Sequence, residues 1–175
     1  MENDVYEGVG KDIIGSTEEI FSTMIPMEIK TDEAFMQEES MIRTDLMSLV
    51  SFTGEHSGII ALFCSKEIAL MITSSMMGIS ATELDRDTKD AIGEVTNMIA
   101  GTLKNKVHER YGAMHLSIPI VIGGADLTIS SSAGEQQKVN IAASVTCNTQ
   151  SSWLMTPFSS DGKTFNVGLI VKKND

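Results

Sequence analysis

SATELDRDTKDAIGEVTNMIAGTLKNKVHERYG, residues 80–112, is the longest stretch of the chain with helical periodicity. It opens on Ser80-Ala81-Thr82-Glu83, which has the form of a capping box, and Gly112 stops it, so the spacing predicts a helix over 83–111. At about 100° per residue, Ile92, Val95, Ile99 and Leu103 gather on one side, with Asp90, Glu94, Asn97, Gly101 and His108 opposite. The first set makes a core face. Glu94 and Asn97 then stand clear of it, with Cβ atoms roughly 5–6 Å apart, so that both head groups can reach a single partner site.

Working outward, a shorter helix is expected over about 66–77, where Ile68, Ala69, Met71, Ile72, Met76 and Met77 form an apolar surface ended by Gly78. Before it the pattern is extended: Met27-Glu28-Ile29, Met41 to Phe52 and Gly58 to Cys64, with Gly54-Glu55-His56-Ser57-Gly58 as the turn between the last two. Val5, Val9, Ile13, Ile14, Thr17, Ile20, Phe21 and Met24 recur at helical spacing before Pro26, which predicts an amphipathic helix over 4–25. After the long helix, His115 to Ile122, Lys138 to Gln150, Trp153 to Phe158 and Thr164 to Lys172 read as strands. Gly123-Gly124-Ala125-Asp126 and Ser159-Ser160-Asp161-Gly162 read as turns, and Leu127 to Ser130 could add a short strand. Strands and helices that come in groups rather than in strict alternation point to an α+β fold, an antiparallel sheet backed by helices.

A chain of 175 residues with 42% hydrophobic content is enough for one compact domain over 1–175, with a core that needs neither disulfide nor metal. The formal charge of −11 argues against nucleic acid and anionic lipid, whose binding begins with Lys and Arg. No membrane span is expected, and Met1-Glu2-Asn3-Asp4 is acidic where a secretory signal is basic, so the expected location is the cytoplasm. Cys64 and Cys147 each sit in an apolar run, where a small buried hydrophobe is expected rather than a disulfide. His56, His108 and His115 have no ligand-spaced company, so no protein-bound metal is expected. Neither a Gly-x-Ser-x-Gly elbow, a P-loop nor a Gly-x-Gly-x-x-Gly run occurs. Met71, Met76, Met77 and Met98 are read as core filling.

The segment Asp90-x3-Glu94-x2-Asn97, with Pro119 in the strand that follows, resembles the signature of the CheX and CheC family of chemotaxis phosphatases, and the predicted order of elements resembles that family's layout over nearly the whole chain. A faint internal echo, Asp12-Ile13-Ile14-Gly15 against Asp90-Ala91-Ile92-Gly93, sets Ser16 opposite Glu94 and Glu19 opposite Asn97. One armed copy is closer to CheX than to CheC, which typically has two. The resemblance implies a CheC-like fold, a homodimer, and hydrolysis of the aspartyl phosphate of a CheY-type receiver domain by Glu94 and Asn97. It implies that Glu94 pairs with the receiver's own lysine and that Mg2+ belongs to the receiver's site.

The chemistry can be argued independently of the resemblance. A phosphoryl transition state needs an in-line water and little covalent help. A carboxamide such as Asn97 both donates and accepts, without the charge by which a carboxylate would repel phosphoryl oxygens. Asp90 is either a partner contact or a carboxylate favouring the helix dipole, and Gly101 either admits the partner's backbone or serves internal packing. Pro119 is equally consistent with a strand edge. The alternatives for the whole chain are a non-catalytic module that binds a receiver or a flagellar-switch-type partner, and a structural dimerisation module.

Overall fold

The computed structural model describes residues 6, 8–37, 41–130, 145–146 and 152–174. In chain order they form α1 (Val9–Thr23), β1 (Lys30–Thr31), β2 (Phe35–Gln37), β3 (Met41–Gly54), β4 (His56–Cys64), α2 (Lys66–Met77), α3 (Arg86–Tyr111), β5 (Met114–Leu116), β6 (Ile120–Ser130), β7 (Val145–Thr146), β8 (Trp153–Ser160) and β9 (Lys163–Lys173). The strands make one sheet in the order β1-β8-β9-β4-β3-β6-β7, with β2 also on β8 and β5 also on β3. Every pairing is antiparallel except β6 with β7. The expected α+β architecture is present.

Alternation along the strands divides the apolar side chains between two faces. Leu46, Val50, Ile60, Leu62, Phe165, Val167 and Leu169 meet the three helices in the main core. There α1 inserts Phe21 against Phe165, which stacks in turn on Phe158, with ring centroids 5.4 and 5.2 Å apart. Met47, Ala61, Phe63, Trp153, Met155 and Ile170 form a separate cluster on the opposite face. Cys64 lies in β4 and is buried. Burial first, and then the charge of Asp45, push its thiol up to about 12.

Several expectations change. The Met27–Ile29 segment is not a strand, and pairing with β8 begins at Lys30 and Thr31. The long helix starts at Arg86 rather than Glu83, because Asp85 is its cap: Asp85 Oδ1 accepts from the Thr88 N–H at 2.9 Å, while the Thr88 hydroxyl donates to the Glu83 carbonyl. Gly123-Gly124 is no turn. Both residues continue β6, and Gly123 pairs with Leu46 beside a register shift between Thr44 and Leu46 that absorbs the irregularity. Ser159 and Ser160 likewise extend β8, leaving Asp161-Gly162 as the turn. The run from His115 to Ile122 divides into β5 and β6. The helix expected over 4–25 is described from Val9, and Met24, placed on its apolar face, is exposed just past its end. Met77 is exposed as well, so it does not fill the core. Of the strand expected over 138–150, only Val145–Thr146 is described, and Cys147 lies outside the described residues.

Candidate functional site

The candidate site is built on α3, whose side toward the sheet buries Ala91, Ile92, Val95, Ile99, Leu103 and Val107. Thr88 and Thr96 also lie on this side, and the Thr96 hydroxyl donates to the Ile92 carbonyl at 2.8 Å, which satisfies a buried polar group inside the helix itself. Past Tyr111 the helix closes at Gly112, where φ is 71° and the backbone N–H donates to the His108 carbonyl. A helix anchored along one side in this way presents its other side without a loop to order.

On that other side Glu94 is exposed and Asn97 half-buried, and neither side chain makes a hydrogen bond or ion pair to another described residue. Asp90 is exposed and pairs with Arg86 at 3.5 Å, one turn earlier on the same helix. Such an exposed i,i+4 pair contributes little to stability, so Asp90 remains accessible. Gly101 borders open space, since nothing stands within 4 Å of where a Cβ would be. Internal packing therefore does not require a glycine there. The structure thus brings Asp90, Glu94, Asn97 and Gly101 onto one accessible strip, with His108 exposed beyond them.

Gly93 is a member of the site that the sequence reading missed. A Cβ on it would fall 3.2 Å from Val121 Cγ2 and 3.7 Å from Pro119 Cγ, so the glycine lets α3 close onto the start of β6 immediately beside Glu94. The only signal in the sequence was a glycine inside a helix next to the motif. The matching helix of the internal echo is differently engaged: Ser16 is fully buried, and Glu19 accepts from Lys106 of α3 at 2.9 Å. Asp12 is paired with Arg110, so α1 is tied to α3 through the positions that correspond to the site.

Among the described residues, no group of three or more His, Cys, Asp or Glu side chains is arranged to hold a metal, and no helix is long and apolar enough to cross a membrane. A cleft of about 560 Å3 lies between Met27, Met71, Ser74 and Asp161 and involves neither Glu94 nor Asn97. The strip on α3 carries two acids, Asp90 and Glu94, and one carboxamide, Asn97. Small substrates are usually taken in concave pockets. The fold and this strip define a class of α+β proteins that present an accessible polar helix face backed by an antiparallel sheet.

Comparison with known proteins narrows the class. Residues 46–142, just over half of the chain, match the family described as chemotaxis phosphatase CheX. The CheY-P phosphatase CheX of Thermotoga maritima is 32% identical over 120 residues, covering 68% of this chain and 77% of its own. The crystal structure of a chemotaxis protein CheX from Desulfovibrio desulfuricans superposes with a TM-score of 0.78 at 26% identity, covering 94% of this chain and 99% of that one. A CheX-CheY-BeF3-Mg2+ complex from Borrelia burgdorferi shares the fold, with a TM-score of 0.68 at 21% identity over 93% of this chain and 96% of that one. The chain belongs to the CheX family of chemotaxis phosphatases.

Proposed function

We propose that this chain is a phosphatase that hydrolyses the aspartyl phosphate of a CheY-type receiver domain, with Asn97 orienting the attacking water and Glu94 docking to the receiver. The observation that carries the reading is a pair of polar side chains, one exposed and one half-buried, held without a described partner on a helix whose opposite side is fixed in the core. The family membership and the name of the Thermotoga relative support it.

The Asn97 carboxamide oxygen accepts a hydrogen bond from a water and leaves the water's oxygen aimed at phosphorus, in line with the aspartyl oxygen that departs. The bond from water to phosphorus forms as the bond from phosphorus to aspartate breaks. The aspartate leaves as a carboxylate, and both protons of the water stay on inorganic phosphate. Glu94 carries the charge that an adjacent lysine of the receiver can pair with, and this charge-assisted hydrogen bond sets the register of α3 over the phosphoryl group. Asp90 and Gly101 flank the pair as contacts, Gly101 by admitting the partner's backbone. Mg2+ is held by the receiver and neutralises phosphoryl charge from that side. The chain acts in the cytoplasm as a single domain over 1–175, and two copies form a homodimer, which sedimentation tests directly.

The decisive measurement is phosphate release from a panel of phosphorylated receivers. Asn97→Ala is expected to reduce stimulated release by about 100-fold or more while binding persists, since one positioned group at a developing charge is typically worth that much. Glu94→Ala should weaken docking and rate together. If the wild-type chain accelerates no receiver, or Asn97→Ala remains fast, the phosphatase reading fails.

A further inference from the structure

Between the pairs Phe52 with Leu116 and Leu49 with Ile120, β3 contributes two residues, Val50 and Ser51, while the facing chain contributes three, Ser117, Ile118 and Pro119. One residue is therefore extra, and β5 and β6 run along β3 as one strand interrupted by a bulge. Bulges of this kind commonly re-aim a side chain beside a working site. Ser117 pins this one. Its N–H donates to the Ser51 carbonyl at 2.8 Å, its Oγ accepts from the Ser51 N–H at 3.0 Å, and its hydroxyl donates to the Ile118 carbonyl at 2.9 Å. Pro119, with no N–H to leave unpaired, packs toward Gly93 of α3.

The side chain that the bulge turns outward is Ile118, which is 82% exposed. A β-branched apolar residue left in water at a pinned position, next to the helix that carries Glu94 and Asn97, is already ordered for a contact that it does not make among the described residues. Its own stretch of chain carries no charge, and the charged groups beside it are those of neighbouring elements, Lys89 and Glu94 of α3 and Glu55. From Tyr111 to Ala125 there is no Asp, Glu, Lys or Arg, in a chain whose formal charge is −11. A partner carrying a phosphoryl group meets least repulsion on such a stretch.

We propose that Ile118 is the apolar anchor for the phosphorylated receiver domain, seating on the receiver's surface beside its phosphoaspartate and holding that domain against α3 while Glu94 and Asn97 enter the site. This rests on the function proposed above and adds the residue that sets affinity. Ile118 touches no reacting atom, so it acts on binding and not on the chemical step.

The test uses the full chain with the receiver that the wild type dephosphorylates fastest. Ile118→Ser, at an exposed position, should fold as the wild type does and raise KM by about 10-fold or more, the equivalent of burying one isoleucine, with kcat within about twofold. Ile118→Val should lie close to the wild type. Sedimentation should show the same oligomeric state for all three proteins. An unchanged KM in Ile118→Ser overturns the anchor while leaving the phosphatase reading intact. A raised KM accompanied by loss of a dimer also overturns it, because Ile118 would then belong to the contact between copies. If the wild type dephosphorylates no receiver, the phosphatase reading is what fails. Affinity for the beryllofluoride form of the receiver, compared between wild type and Ile118→Ser, then decides the anchor separately, equal affinities overturning it.

Discussion

Gly93→Ala and Gly101→Ala place the same methyl group on the same helix at two positions with opposite surroundings. Replacing a glycine by alanine in a helix interior stabilises by about 0.8–1.0 kcal/mol when the new Cβ meets nothing. Gly101 satisfies that condition, with no atom within 4 Å, and Gly101→Ala is expected to gain the full amount. At Gly93 the Cβ falls 3.2 Å from Val121 Cγ2. Carbon pairs are most favourable at about 3.5–4.0 Å, so this contact is repulsive until Val121 shifts. Gly93→Ala should therefore gain less than about half as much as Gly101→Ala, or lose stability outright. Val121→Ala removes the obstructing methyl, whereas the Pro119 contacts at 3.7 and 3.8 Å are ordinary. In the Val121→Ala background Gly93→Ala should recover about 0.8–1.0 kcal/mol, a coupling on the order of 0.5–1 kcal/mol. Urea unfolding of the four proteins of this cycle and of Gly101→Ala, read as midpoint shifts at constant slope, measures it. Equal gains at Gly93 and Gly101 in the wild-type background would show that α3 does not close on the bulge at this point.

Two further outcomes follow from the titrating groups. The Thr88 N–H that Asp85 accepts holds its carboxyl below the ordinary value, so its contribution is complete above the usual carboxylate range and fades as pH falls through the folded value. The melting-temperature gap between wild type and Asp85→Ala should thus be full at neutral pH and close below about pH 4, and a gap that persists in acid would rule out a charged cap. Cys64, with its thiol pushed up to about 12 by burial, should resist thiol reagents at mildly alkaline pH in a Cys147→Ser background until denaturant is added. Rapid labelling of the native protein would show that the core opens at β4.

The helical face of the site could be read from the sequence because it depends on one period within one element. Ile92, Val95, Ile99 and Leu103 are buried and Glu94 is exposed, as that period requires. The residues 66–77 could be read for the same reason, with Ser65 as cap and Gly78 in the left-handed region at φ 67°. Errors arose where a local signal competed with a partner distant in sequence. Gly123-Gly124 has the composition of a turn, yet β3 is 14 residues long, its Leu46 pairs with Gly123, and the register shift that follows keeps Gly124 within β6. Met27 to Ile29 has strand composition but meets no neighbouring strand until Lys30 reaches Ser159. Ser80 and Glu83 fit a capping box, but Asp85 provides the working cap two residues after it. The bulge at Ser117 to Pro119 was hidden for another reason, since it is defined by a mismatch of counts between two strands and appears in neither strand alone.

The two similarly spelled helices share the work unequally. In α1 the position matching Glu94 is a buried Ser16, and the position matching Asn97 is a Glu19 held by Lys106 of α3. What would be a second business end serves instead as a buttress behind the first. If Glu94 and Asn97 are the working pair, as proposed, each chain offers a single such strip, and an assembly that services two receivers would have to recruit a second chain.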